Sequence, residues 1–105
     1  MIVEMRTYRI KSGMRAKFVE VLRTKGFAEL KRIGVKVAGP FVSVEDEMTL
    51  FWMRGFPDAN ARETMTDQFY GGEAWRRELS DALMPNLEKY DVVAVEMPES
   101  AVQWV

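Results

Sequence analysis

Ile2-Val3-Glu4-Met5-Arg6-Thr7-Tyr8-Arg9-Ile10 alternates with a period of two, the pattern of a β-strand. Glu4, Arg6 and Tyr8 share one side with Ile2 and Ile10, while Val3, Met5 and Thr7 share the other. An acid, a base and a phenol thus point in one direction from a single strand. Where that strand sits in the fold decides whether they meet water, one another or a ligand.

Working outward, Ser12-Gly13 is a turn and helix-entry signal. The stretch Met14 to Ile33 reads as one helix, with Phe18, Leu22, Leu30 and Ile33 as its apolar stripe and Gly26 in the gap. Gly34 stands in the favoured stop position after it. Val35–Ser43 reads as a second strand. Its Gly39-Pro40 marks an edge or a bulge, because proline donates nothing to a ladder. Glu45-Asp46-Glu47 reads as a charged hairpin tip and Met48–Phe56 as the third strand. Asp58 is a good N-cap for a helix reaching Tyr70, and Gly71-Gly72 breaks it. A further helical segment, Glu73 to Met84, stops at Pro85, and Asp91–Met97 reads as the last strand. Pro98 to Val105 is a tail without periodicity.

The order β-α-β-β-α-β predicts an α+β, ferredoxin-like sandwich with an antiparallel sheet of order 4-1-3-2 and both helices on one side. At 105 residues the chain is one domain with one core. The expected division is a domain over 1–98 and a tail over 99–105.

Composition narrows the function classes. Fifteen basic and sixteen acidic residues nearly cancel, so no basic footprint for nucleic acid is present. With neither cysteine nor histidine, thiolate chemistry, disulfides and the commonest metal ligand and general base are excluded. The longest apolar runs, Leu50–Met53 and Val92–Val95, are far short of the ~20 residues needed to span a bilayer. Met1 leads straight into a strand without a signal-peptide pattern. The expectation is a soluble, cytoplasmic protein with no membrane or nucleic-acid partner, no metal and no cofactor.

Both faces of the predicted sheet carry large apolar residues. The helices are expected on Val3, Met5, Phe51, Met53, Val93 and Val95. The opposite face then holds Ile2, Ile10, Leu50, Trp52, Phe56, Val92 and Ala94, too much apolar surface to leave in water. A second copy packed face to face would cover it, which predicts a homodimer with a barrel-like interior. Glu4, Arg6, Tyr8, Trp52, Arg54 and Glu96 would be enclosed there. One reading makes them a small-molecule pocket: Arg6 and Arg54 grip an anion, Tyr8 hydrogen-bonds, Trp52 stacks, and Glu4 or Glu96 acts as base. The other makes them an ion network, because buried charges must be paired.

Those residues also carry a family resemblance. Glu4-Met5-Arg6-Thr7-Tyr8, followed by Lys11-Ser12-Gly13-Met14, resembles the opening of the NIPSNAP family, whose first strand reads roughly E-L-R-x-Y before a Pro-Gly. Val35–Phe41 resembles its second strand. Phe51-Trp52-Met53-Arg54-Gly55-Phe56-Pro57-Asp58, with Arg62-Glu63 after it, resembles the third strand and helix entry. Trp75 and Leu83-Met84-Pro85 resemble the pattern of the second helix. Ser12 stands where the family usually has Pro. The resemblance implies a dimeric α+β barrel and no catalytic residue set. The wider superfamily it implies includes cofactor-free monooxygenases, isomerases and haem enzymes, and a chain without histidine does not suit His-ligated haem.

Other motifs read as structure. Thr49–Phe56 lacks the basic-Gly-aromatic start of an RNA-recognition strand. Gly71-Gly72 has no phosphate-loop or dinucleotide fingerprint around it. The consecutive acids Glu45, Asp46 and Glu47 point alternately and do not converge on a cation. The expected function is therefore a homodimeric binder of a small molecule or partner. The alternatives are a cofactor-independent enzyme for a small anionic or aromatic substrate, and a purely structural dimer.

Overall fold

The computed structural model describes Met1 to Val105. Its strands are β1 (Ile2–Ile10), β2 (Lys36–Val42), β3 (Thr49–Phe56) and β4 (Leu87–Glu96). They form one antiparallel sheet in the order β2-β3-β1-β4, so β1 is central and the order read from the sequence holds. β2 is an edge strand whose register shifts between Ala38 and Phe41, around Gly39-Pro40. β4 starts earlier than its apolar run, because Leu87 already pairs with Ile10.

The first helical stretch is not uniform. α1 (Arg15–Val21) passes through a wide π turn at Leu22–Gly26 into α2 (Phe27–Ile33). A π turn adds a residue to the helical repeat. Leu22 and Phe27, five apart, therefore both point inward, and Phe27 joins the core that four-residue spacing assigned to Gly26. Gly26 is itself buried, and a Cβ there would sit 3.1 Å from Leu22 Cδ1. Gly34 ends α2 at φ +108°, its N–H donating to the carbonyls of Leu30 and Lys31. α3 (Ala59–Tyr70) is capped by Asp58, whose carboxylate accepts from the Ala61 N–H at 2.8 Å. After Gly71-Gly72 a second π turn, Trp75–Leu79, leads into α4 (Ser80–Leu83).

The helices cover the opposite face of the sheet from the one expected. Phe18, Leu22 and Phe27 pack with Tyr8, Ile10, Leu50, Trp52 and Phe56, which are the core of the protomer. Glu4, Arg6 and Arg54 lie on this same side, by register with Ala94, Val92 and Val37. They are enclosed, as expected, but by the chain's own helices rather than by a second sheet. The face left open carries Met5, Thr7, Phe51, Met53 and Val93, with Phe41 stacked on Phe51 at 6.4 Å. Of the face expected to pair with a second copy, Ile10, Leu50, Trp52 and Phe56 are buried in the protomer's own core and are not available to a partner, while Ile2 and Val92 are half-buried and Ala94 is exposed.

The tail is ordered against that open face. Met97 N–H donates to the Met1 carbonyl, the Trp104 ring lies over Gly55, and Val105 N–H donates to the Val37 carbonyl on β2. A Cβ at Gly55 would come within 2.8 Å of Trp104, so glycine is what lets the indole approach β3 this closely. Val3, the partner of Gly55 in the ladder, is fully buried. At the other end Arg15 clamps the β2–β3 hairpin, donating to the carbonyls of Ser43, Asp46 and Thr49. Asp46 accepts from Met48 N–H and the Thr49 hydroxyl, so the acidic tip is tied into its own turn.

Candidate functional site

Alternation along β1 and β3 aims Arg6, Tyr8, Trp52 and Arg54 into the layer between sheet and helices. Helix residues Phe69, Tyr70, Trp75 and Leu83 meet them there. The layer is incompletely filled. A cavity of about 260 Å³ remains, lined by those residues with Phe18, Leu22, Met84, Leu87 and Tyr90. Met84 and Tyr90 are exposed residues of its lining. Its volume is just under the usual range of small-molecule pockets, about 300–1,000 Å³, which suits a one- or two-ring molecule.

The charged groups divide into two sets. Glu4, 3% exposed, accepts from Arg6 Nε at 2.9 Å, and Arg6 Nη2 lies 2.8 Å from the same oxygen as an ion pair. Its other oxygen accepts from Arg62 Nε of α3 at 2.8 Å. Burial raises the Glu4 carboxyl's proton affinity, but Arg6 and the hydrogen bonds from Arg62 and Arg6 outweigh it, and the net pKa lies below the ordinary glutamate value. Glu4 is thus a committed carboxylate and does not line the cavity. Arg6 reaches on to Tyr8, with Nη1 donating to the phenol oxygen at 2.8 Å. Burial pushes the Tyr8 phenol upward, against the opposing pull of Arg6 and Arg54, so it stays protonated at neutral pH.

Arg54 is different. It is 3% exposed, no carboxylate lies within ion-pair reach, and its one hydrogen bond runs from Nη2 to the Tyr70 phenol oxygen at 2.9 Å. Its guanidinium carbon lies 4.7 Å from the Trp52 ring centre, 5.2 Å from Phe69 and 5.4 Å from Tyr70. Aromatic faces thus supply part of the negative potential that a carboxylate would otherwise supply. Burial, then repulsion from Arg6, pulls its pKa down. Arginine's ordinary value is so high that it remains a cation. Arg54 Nε and Trp52 Nε1 are buried donors without an acceptor.

Of the residues singled out in the sequence, the cavity therefore gathers Arg6, Tyr8, Trp52 and Arg54. Glu4 lies behind Arg6. Glu96 is exposed opposite Ile2, two rungs beyond Glu4, and lies outside the site. Tyr70, Trp75 and Tyr90 line the cavity and Arg62 pairs with Glu4, though none was among the candidate site residues. The signal for two of them was the spacing of Arg62 and Tyr70, eight apart and so on one face of α3. No group of three acids is arranged to hold a metal ion, and no helix is long and apolar enough to cross a membrane.

Comparison with solved structures places this architecture. A NIPSNAP domain protein from Burkholderia xenovorans superposes with a TM-score of 0.80 at 20% identity, covering 94% of this chain and 96% of that one. A NIPSNAP family protein from Agrobacterium tumefaciens gives 0.80 at 22% identity, with 93% of each chain covered. An antibiotic biosynthesis monooxygenase shares the fold at a TM-score of 0.70 and 16% identity, over 93% of this chain and 99% of that one. A search of curated proteins returns no match. The NIPSNAP family profile matches residues 3–93, spanning β1 to most of β4. The chain belongs to the NIPSNAP family.

Proposed function

We propose that this protein is a homodimer that binds a small molecule in the cavity between its sheet and helices. The observation that carries the reading is the cavity itself. Core layers are filled at close to crystal density, yet here space is kept beside a buried arginine that no carboxylate neutralises. A closed ion network accounts for Glu4, Arg6 and Arg62 but leaves Arg54 and the cavity unexplained. The homodimer rests on the open face, where Phe41 is 53% and Val93 58% exposed beside Met5, Phe51 and Met53. A contiguous apolar patch of this kind marks an interface, and a two-fold axis would cover it with its own copy.

Native mass spectrometry of freshly purified protein tests both parts at once. The expected spectrum is a dimer carrying one added small mass per protomer. Phe51→Glu is expected to give a folded monomer. A monomeric wild type at micromolar concentration sinks the dimer. A bare mass, with no uptake of any one- or two-ring aromatic compound, sinks the binding function.

A second reading, a cofactor-independent enzyme, draws on the fold shared with a monooxygenase and on the placement of Tyr8. Glu4 is held by two arginines and is unsuited to be a base. Tyr8, protonated and backed by Arg6, is suited to give a proton to a substrate. If turnover exists, Tyr8→Phe is expected to abolish it while changing ligand affinity less than about tenfold. Turnover unchanged in that variant removes Tyr8 from the chemistry.

A further inference from the structure

The balance of donors and acceptors around the cavity constrains its ligand, on the premise that it binds one. Glu4 is the sole carboxylate of the cluster, and Arg6 and Arg62 take both its oxygens. Arg54 Nε and Trp52 Nε1 have no acceptor. The phenol oxygens of Tyr8 and Tyr70 already accept from Arg6 and Arg54, and no protein acceptor takes the proton of either. The polar lining of the cavity therefore offers donors and positive charge, against one carboxylate that is fully engaged. The donors are held in place beforehand, Arg54 between the rings of Trp52, Phe69 and Tyr70, and Arg6 by Glu4. The remaining walls, Phe18, Leu22, Trp75, Leu83 and Leu87, are apolar. They suit the flat body of a ring and disfavour a small hydrated anion such as phosphate, which would lose its water without replacement.

We propose that the cavity receives an oxyanion, a carboxylate or phenolate, borne on a one- or two-ring planar apolar body, with Arg54 and the phenols of Tyr8 and Tyr70 as its donors. A preset cluster of donors around a developing or resident oxyanion in a dry site is worth far more than the same contacts in water. An apolar pocket without such donors would act oppositely, keeping an acidic ligand neutral.

Two probes carry the test, each followed by quenching of tryptophan fluorescence or by absorbance. 1-Naphthoate is expected to bind at least about tenfold more tightly than the neutral 1-naphthalenemethanol, the span of one charge-assisted hydrogen bond. Bound 4-nitrophenol is expected to ionise at lower pH than free 4-nitrophenol, visible as phenolate absorbance. Arg54→Met is expected to remove both effects, and Tyr70→Phe to reduce the naphthoate preference severalfold. Naphthoate favoured without a shift in nitrophenol identifies the carboxylate as the oxyanion, and the reverse identifies the phenolate. Equal binding of naphthoate and the alcohol together with an upward nitrophenol shift overturns the oxyanion assignment and leaves the cavity as an apolar binding site. A preference that survives both Arg54→Met and Tyr70→Phe overturns it as well. Binding of no probe at all overturns this inference and the small-molecule reading together.

Discussion

Glu4→Gln is expected to lower the unfolding free energy by about 3 kcal/mol or more, because removing one member of a buried ion pair strands the other. Arg6 is 7% exposed and directs two of its nitrogens at a single Glu4 oxygen. A glutamine amide has one acceptor oxygen and one donor group. Whichever way it is turned, it presents N–H to either Arg6 or Arg62, donor against donor. Arg62 recovers by moving into water, since its side chain is 39% exposed. Arg6 has no such exit, and most of the loss belongs to it. Urea denaturation of the two proteins at pH 7 measures the difference, and a value under about 1 kcal/mol would mean the pair contributes no more than a surface ion pair.

The same carboxylate sets a pH dependence of known sign. Glu4 has a lower pKa in the fold than its ordinary value, so across the acid range the unfolded chain binds more protons than the native one. Stability therefore rises with pH there. The contribution is complete above the ordinary glutamate range and is lost as pH falls through the lower folded value. Asp46 acts in the same direction, its carboxyl pulled down first by the Met48 N–H and then by the Thr49 hydroxyl. Wild type should lose stability between about pH 5 and 3. Glu4→Gln should lose less, retaining the share due to Asp46, so the two curves converge toward acid. Parallel curves would show that Glu4 titrates alike in both states.

How far this was legible in the sequence depends on the element. Period-two alternation in Ile2–Ile10 and Thr49–Phe56, with Asp58 and Gly34 as helix signals, leads to the correct element order, strand order and central position of β1. It does not lead to the correct face. Alternation sorts side chains into two sets but says nothing of which set the helices take when both are apolar. Charge then misleads, because Glu4, Arg6 and Arg54 look foreign to a protomer core. The deciding groups sit in another element: Arg62 and Tyr70 of α3 supply an ion partner and a phenol to that face. The π turn at Leu22–Gly26 was illegible for a related reason. It exists to bring Leu22 and Phe27 onto one sheet, with the Phe27 ring 5.5 Å from Trp52, a tertiary demand that local spacing does not encode.

Arg54→Met is expected to move stability and binding in opposite directions. Against the fold stands the removal of a guanidinium from water, a cost of several kcal/mol, with Arg6 adding like-charge repulsion. In its favour stand ring contacts worth up to about 2 kcal/mol when desolvated and one hydrogen bond to Tyr70, about 1–1.5 kcal/mol net. Methionine matches the aliphatic stem and adapts to the Trp52 and Phe69 rings. It leaves the Tyr70 hydroxyl, only half-buried, free to find water. The balance favours the variant by about 1–2 kcal/mol, the sign seen where a binding group is kept at a stability cost. The same variant should lose at least about tenfold in affinity for 1-naphthoate. A structural arginine would give the reverse pattern, a fold weakened and a pocket unaffected except through unfolding. Thermal denaturation beside a naphthoate titration separates the two. A variant that melts lower and binds as before would place Arg54 among the supports of the core and outside the ligand site.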